Sequence, residues 1–265
     1  MTAVALTIAG SDPSGGAGLQ ADLKTFHQHG VYGESAVTLL TVQNTRTVAG
    51  IEFMRPDFVE AQIDAVVTDI PPTAGKTGAL GRADIIGVVA RRAASFAFPL
   101  VVDPVMVTKH GIPILAEDAV EALVGELLPH AFLVTPNLAE ASRLAGFAVR
   151  TRDDMLRAAR TIAAMGPRHV LVKAGHLERD AVDLLWSDGV AHAFADPRIE
   201  STQTHGTGCT LSAAIAARLA RGEAVLKAVE GARAFVRAAI ASAPGLGHGV
   251  GPVNHFASTE AAHGR

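Results

Sequence analysis

Residues 4–28 read VALTIAGSDPSGGAGLQADLKTFHQ and contain three structural signals in succession. A short apolar run at residues 4–9 predicts a buried strand, and a glycine-rich loop follows it directly. Apolar residues then recur at helical spacing, at Leu19, Leu23 and Phe26. A strand, a tight loop and a helix in this order are typical of the unit from which α/β folds are built.

The same alternation continues along the chain. Short β-branched runs predict further strands at residues 36–42, 74–77, 100–103, 131–135 and 169–173. The stretches between them predict helices, including one after Pro56 with an inner stripe of Val59, Ile63, Val66 and Val67. Residues 182–186 and 190–194 predict an antiparallel hairpin at the edge of the sheet.

The last third of the chain is predicted to be helical, with apolar stripes along residues 211–219 and 228–241. No repeat, charge block or linker divides the sequence. We therefore expect one domain, residues 1–265, of the α/β class, with a mainly parallel sheet covered by helices on both faces. Residues 257–265 are small and polar, which predicts a frayed tail.

Composition excludes several classes of function. Of 265 residues, 49% are hydrophobic, which is enough for a sizeable core. The net charge of −3 provides no positive field for nucleic acid or an anionic membrane. No apolar run approaches the roughly 18 residues of a membrane span. The single cysteine, Cys209, excludes an internal disulfide, and no signal peptide is recognisable, so we expect a soluble cytoplasmic protein.

The first glycine-rich loop permits more than one interpretation. Residues 16–21 fit the loose dinucleotide fingerprint G-x-G-x-x-A, but the second strand runs into Gln43 and Asn44 instead of the acid that holds the ribose. None of the glycines at 10, 15, 16 and 18 is directly followed by a Lys-Ser/Thr pair, so a P-loop is excluded. The plain alternative is a turn in which Asp12 or Ser14 caps the following helix.

The segment THGTGCTLSAA, residues 204–214, predicts an anion site. Glycines at 206 and 208 permit a tight turn, and the N–H groups of Thr207, Gly208 and Cys209 lie at the positive end of a helix. That helix end lowers the pKa of a thiol, so Cys209 is a candidate partial thiolate or acceptor for a substrate hydroxyl. The alternative is that Cys209 packs in the core as a small hydrophobic side chain. His205 and Cys209 could supply two zinc ligands, but no second Cys/His pair has the required spacing.

Polar residues also follow several predicted strands, where α/β proteins usually place their sites. These are Gln43 and Asn44, Asp103, Asn137 with Glu140, and Lys173 with His176. Together these residues indicate a kinase. They provide an acid and an Asn-x-x-Glu for Mg²⁺, a lysine for phosphate and a neutral amide for a polar ring. Two of them have ordinary alternatives, because Asn137 is also a suitable N-cap and Lys173 a suitable strand-end charge.

Six motifs in order resemble one family over nearly the whole chain. They are ALTIAGSDPSGGAGLQADLKTF (5–26), VQNT (42–45), DPVM (103–106), TPNLAEA (135–141), THGTGCTLSAA (204–214) and GVGPVNHF (249–256). They resemble the hydroxymethylpyrimidine/phosphomethylpyrimidine kinases of thiamine biosynthesis, in the ribokinase-like superfamily. The resemblance implies a three-layer sandwich that uses ATP and Mg²⁺. The substrate would be 4-amino-5-hydroxymethyl-2-methylpyrimidine and then its monophosphate.

The resemblance also implies roles for individual residues. Cys209 stands where most ribokinase-like enzymes have a general-base aspartate, and residues 206–209 would form the anion hole. Lys173 would contact the ATP phosphates, Asn137 and Glu140 would organise Mg²⁺ through water, and Asp103 would serve both nucleotide and metal. Gln43 would hydrogen-bond the aminopyrimidine. The remaining implied contacts are Gly10, Val42 and Ala79 for the substrate and Thr204 for the nucleotide, while Asp22 would hold either the first loop or the polar edge of the substrate.

Two positions depart from the family pattern. Ala79 replaces a methionine that many relatives place against the pyrimidine, and Ala174 replaces a glycine near Lys173. The first substitution keeps a pyridoxal kinase open as an alternative, since pyridoxal also carries a hydroxymethyl group on a nitrogen ring. A non-catalytic pyrimidine-binding protein is the alternative from another class. The resemblance further implies a homodimer.

Overall fold

The computed structural model describes residues 2–108, 111–174 and 180–258. In these residues nine strands form one sheet in the order β3-β2-β1-β4-β5-β6-β7-β8-β9. The strands are β1 Val4–Ser11, β2 Tyr32–Gln43, β3 Val48–Phe53, β4 Ala74–Thr77, β5 Leu100–Val102, β6 Leu133–Val134, β7 His169–Lys173, β8 Asp180–Ser187 and β9 Val190–Pro197. The six central strands, β2-β1-β4-β5-β6-β7, are parallel to one another. The outer strands β3, β8 and β9 each pair antiparallel with their neighbours.

Helices cover both faces of this sheet, as the sequence predicts. They are α1 Gly18–Gln28, α2 Pro56–Asp69, α3 Ala83–Ala93, α4 Glu117–Ala122, α5 Leu138–Ala145, α6 Arg152–Ala163, α7 Thr207–Ala220 and α8 Val225–Ala241. A π-helical turn, Leu123–Leu127, and a 3₁₀ turn, Leu128–His130, continue α4.

The core has two apolar layers because side chains alternate across a strand. On β1, Leu6 and Ile8 belong to the layer beneath α2–α6, whereas Ala5 belongs to the layer of α1, α7 and α8. Helix α7 is buried on nearly every side, since Ile215 and the alanines beside it are fully covered. The sheet therefore holds the start of α7 rigidly at the carboxyl ends of its strands.

Most predicted elements are confirmed, and the differences lie at the edges. The hairpin β8–β9 forms the predicted edge, and its turn has Asp188 and Gly189 at positive φ of 48° and 82°. The second strand is longer than predicted, and its last three residues, 41–43, pair only with β3, a strand that the sequence pattern missed. In consequence Val42 is 66% exposed instead of buried.

Two smaller expectations were wrong. Helix α1 begins after Ala17 without a side-chain cap, so neither Asp12 nor Ser14 caps it. The chain is also still packed at Ala257, which is 6% exposed and accepts a hydrogen bond from Gln28, so fraying does not begin at that residue.

Candidate active site

A cavity of about 750 Å³ opens at the carboxyl ends of the parallel strands. It is lined by twelve of the predicted site residues: Gly10, Gln43, Ala79, Asp103, Asn137, Glu140, Lys173, Thr204, Gly206, Thr207, Gly208 and Cys209. This convergence follows from the parallel topology, which brings the ends of sequence-distant strands to one edge. His176 lies outside the described residues.

Helix α7 presents its N-terminus to this cavity. Its N-cap, Gly206, has a φ of 80°, and a β-carbon there would lie 1.8 Å from the carbonyl oxygen of Gly16. Only glycine fits both the backbone conformation and the space. The N–H groups of the first turn have no partners within the helix and lie at the positive end of its dipole. The predicted anion site therefore has the required geometry.

Lys173 and Asp103 form an ion pair directly against this turn. Nζ of Lys173 lies 3.0 Å from Oδ1 of Asp103, which also accepts a hydrogen bond from Thr135, while Ser212 donates to Oδ2. Burial opposes the charge of Lys173, but Asp103 and Glu140 outweigh burial and hold the lysine pKa above its ordinary value. Lys173 is thus a fixed, largely buried cation and not a solvated strand-end charge.

Asn137 and Glu140 form a capping box at the start of α5. The Asn137 side chain accepts from the Glu140 N–H at 3.0 Å, and Glu140 accepts from the Asn137 N–H at 2.8 Å. The alternative reading of Asn137 as an N-cap is therefore correct. Burial, reinforced by Asp103 and opposed by Lys173, raises the pKa of Glu140 to about 7.

The same acids decide how a metal ion would be held. In the described part of the chain no group of three or more His, Cys, Asp or Glu side chains is arranged to hold a metal ion. Mg²⁺ commonly binds through one or two carboxylates and completes its shell with water and substrate phosphates. Asp103 and Glu140 fit that kind of site, because both carboxyl groups lie at the wall beside Lys173.

Cys209 does not have the lowered pKa that its helix position suggests. Burial raises the pKa of the thiol to about 11, with Asp22 and Asp103 adding to the effect and Lys76 and the Gly18 backbone opposing it. Desolvation of the thiolate outweighs the helix dipole here. The expectation of a partial thiolate was therefore wrong, and Cys209 lines the cavity as a neutral thiol at neutral pH.

Asp22 and Val42, two predicted substrate contacts, do not line the cavity. Asp22 lies beneath its floor, where both carboxylate oxygens bind Nζ of Lys76 at 2.7 and 2.8 Å and Thr7 donates at 2.6 Å. The Val42 side chain points to solvent, and its neighbour Thr41 lines the cavity instead. The sequence missed Lys76, although a lysine inside an apolar strand motif was the available signal.

A second missed group surrounds Gln43. Its amide lies 3.2 Å from Nε2 of His205, which in turn lies 2.8 Å from Oδ2 of Asp12. Burial opposes ionisation of Asp12, but hydrogen bonds from His205 and Ser14 outweigh it and hold the Asp12 pKa below its usual range. This cluster connects the first glycine-rich loop, the end of β2 and the loop before α7.

The far end of the cavity is formed by α8 and the hairpin. Arg233 binds Asp183 and Asp196, each at 2.8 Å, next to an apolar wall that includes Val236 and Ile240. No sequence motif predicts this end of the cavity, because its residues are spread over three elements. No helix in the described residues is both long and apolar enough to cross a membrane.

A mainly parallel sheet covered by helices on both faces, with a helix N-terminus beside a largely buried lysine at its carboxyl edge, is the fold of the ribokinase-like kinases, which confirms the predicted fold class. Within that class the chain belongs to the phosphomethylpyrimidine kinase family, whose family model matches residues 12–254. The resemblance inferred from the six motifs is therefore confirmed.

Individual relatives agree with this assignment. The chain is 49% identical over 260 residues to a hydroxymethylpyrimidine/phosphomethylpyrimidine kinase of Rhizobium meliloti, covering 97% of this chain and 98% of that protein. Its structure is similar to an ADP complex of Bacillus subtilis pyridoxal kinase, with a TM-score of 0.89, 38% identity and coverage of 97% and 98%. It is also similar to a phosphomethylpyrimidine kinase from Clostridium difficile, with a TM-score of 0.80, 40% identity and coverage of 89% and 98%.

Proposed function

We propose that the protein phosphorylates 4-amino-5-hydroxymethyl-2-methylpyrimidine with ATP and then phosphorylates the monophosphate, for thiamine biosynthesis. The observation that carries this proposal is that the amide of Gln43 and the N-terminus of α7 face one cavity. A polar ring bound at the Gln43 amide would direct its hydroxymethyl group toward the N-terminus of α7. The family assignment and the names of the full-length relatives support the same substrate.

Phosphoryl transfer demands positioning and charge stabilisation more than covalent chemistry. The backbone N–H groups of Gly208 and Cys209 stabilise the negative charge that spreads over the oxygens of the transferred group. Lys173, directly beside the same turn, neutralises phosphate charge, and its ion pair with Asp103 keeps the ammonium in place. At the far end, Val236 and Ile240 provide an apolar surface for the purine, while Thr204 and Asn137 lie along the path of the phosphates.

Cys209 orients the substrate hydroxyl through its sulfur. With a pKa of about 11 the thiol keeps its proton at neutral pH and is not a general base, which is compatible with a loose transition state in which the hydroxyl loses its proton late. Bound Mg²⁺ would neutralise charge on the phosphate oxygens. Asp103 and Glu140 would hold that ion, and the capping box with Asn137 keeps the Glu140 carboxyl at the cavity wall.

The test is a steady-state assay with Mg-ATP and the pyrimidine alcohol, following ADP release and separating the mono- and diphosphate by chromatography. Both products are expected. Lys173→Met should abolish turnover, whereas Lys227→Met, on α8 and away from the cavity lining, should not change it. Absence of ADP release by the wild-type protein would refute the proposal.

A pyridoxal kinase is the second candidate, favoured by the similarity to the Bacillus subtilis enzyme and by the small Ala79 at the cavity wall. Competition between the two alcohols separates the candidates. We expect a higher kcat/KM for the pyrimidine, and the reverse order would replace the proposed function.

A cytoplasmic homodimer completes the proposal. Leu40 and Val42 expose 44% and 66% of their surface on the outer half of β2, an apolar pair suited to burial against a second copy. Light scattering should give twice the mass of the chain, and the mass of a single chain would exclude the dimer.

A further inference from the structure

The amide of Gln43 has contacts on both sides that depend on which end is nitrogen and which is oxygen. As placed in the structure, the amide Nε2 lies 3.2 Å from Nε2 of His205 and the amide Oε1 lies 3.3 Å from Oγ1 of Thr41, and the reverse orientation exchanges these two atoms. The amide nitrogen and oxygen are nearly equal in size, so hydrogen bonding decides between the two orientations. The orientation determines which group a ring bound in the cavity would meet on each side.

Asp12 determines the protonation of His205. Its Oδ2 lies 2.8 Å from Nε2 of His205 and also accepts from the Ala17 N–H at 2.9 Å, while the N–H of Ser14 donates to Oδ1. A carboxyl group surrounded by donors carries no proton of its own. The hydrogen between the two residues is therefore on Nε2 of His205, and both side chains are at least 96% buried.

A nitrogen that carries this hydrogen has no lone pair with which to accept from Gln43. With the amide nitrogen on the His205 side, two donors would face each other, whereas the amide oxygen can share the Nε2 hydrogen with Asp12. Thr41 requires the same arrangement. Its single hydroxyl hydrogen goes to the carbonyl oxygen of Ser11 at 2.9 Å, so its oxygen is left as an acceptor for the amide NH₂.

We propose that His205, held by Asp12, is a positioning residue that fixes the Gln43 amide with its oxygen toward His205 and its nitrogen toward Thr41. One N–H and one oxygen lone pair then stay available to the cavity, in a fixed order. This pair complements an exocyclic amine beside a ring nitrogen, in the manner in which glutamine pairs with adenine. The cluster thereby selects a 4-aminopyrimidine over a pyridine alcohol without that pair; the selection rests on the proposed function, because it takes Gln43 as the ring contact.

The orientation is tested first on the wild-type protein, independently of any substrate. Long-range ¹H–¹⁵N NMR spectra report which ring nitrogen of each histidine carries hydrogen, and comparison with His205→Gln assigns the signal. We expect hydrogen on Nε2 of His205. A neutral ring with hydrogen only on Nδ1 would overturn the proposal, because Nε2 would then accept from the amide nitrogen.

Selection is tested by comparing His205→Leu, which has no donor, with His205→Gln, which retains one. The leucine variant should raise KM for the pyrimidine about tenfold or more while kcat and the affinity for pyridoxal change less than about threefold. The glutamine variant should have a KM for the pyrimidine close to that of the wild type. Equal losses for both ligands, or a loss confined to kcat, would show that His205 is merely structural. If wild-type enzyme phosphorylates neither alcohol, the proposed function fails while the NMR result still decides the orientation.

Discussion

Replacing Gly206 by alanine tests the structural basis of the anion site. Two costs are expected. The first is the left-handed backbone conformation, with φ at 80°, which costs a residue with a β-carbon about 1–2 kcal/mol. The second is the contact between the new β-carbon and the Gly16 carbonyl oxygen at 1.8 Å.

The contact cannot be relieved by a small adjustment. A carbon and an oxygen in contact lie about 3.3–3.6 Å apart, so one loop must move by roughly 1.5 Å. Gly16 cannot retreat freely, because a β-carbon on it would already lie 2.5 Å from the His205 ring. Overpacking of this kind costs about 1–3 kcal/mol, which gives a total loss of about 2–5 kcal/mol in the free energy of unfolding.

Gly222, just past the other end of α7, provides a matched control. Its φ is 83°, and nothing lies within 4 Å of the position of a β-carbon. Gly222→Ala therefore incurs the backbone cost alone, about 1–2 kcal/mol, and leaves the cavity unchanged.

Urea denaturation measures the difference in the free energy of unfolding between the two variants. The dependence of that free energy on urea concentration is compared with that of the wild type, and steady-state kinetics measures the effect on kcat. A displacement of the α7 turn by about 1 Å should lower kcat about 100-fold in Gly206→Ala, with kcat unchanged in Gly222→Ala. Equal stability of the two variants, or a kcat of Gly206→Ala within threefold of wild type, would refute the argument.

Three further predictions concern single side chains. Cys209→Ala should lower kcat by about 10²-fold through lost positioning of the hydroxyl, with little change in the ATP dissociation constant, and unchanged turnover would remove the thiol from the mechanism. Lys76→Met should destabilise the fold by about 3–5 kcal/mol in urea titrations, because it leaves the buried Asp22 carboxylate unpaired, and adding Asp22→Asn should restore part of the loss. Burial, with Asp69 adding to it, raises the pKa of Glu34 from 4.5 to about 7, so stability should fall as pH rises from 4.5 to 7, where the unfolded chain loses this proton first. Glu34→Gln should remove that slope and raise stability at pH 8 by about 1 kcal/mol, allowing for water near the carboxyl, and an unchanged pH profile would contradict the assignment.

The central strands were predictable because their signal is local. Leu100–Val102 and Leu133–Val134 lie within the predicted ranges, since a parallel strand buried on both faces reads as a short apolar run. β3 was missed because it is an edge strand, with most of its side chains partly or fully exposed and a glycine in its middle.

The sequence by itself determined the α/β class, the family, and twelve of the residues that line the cavity, because motifs and strand ends are read from neighbours along the chain. Only the tertiary structure decided that Asp22 pairs with Lys76, that Cys209 is a neutral thiol, and that His205 contacts Gln43. Asp22 and Lys76 are separated by 54 positions in the chain, and Gln43 and His205 by 162. Burial and long-range partners set a pKa value or the orientation of an amide, and neither exists until the chain has folded.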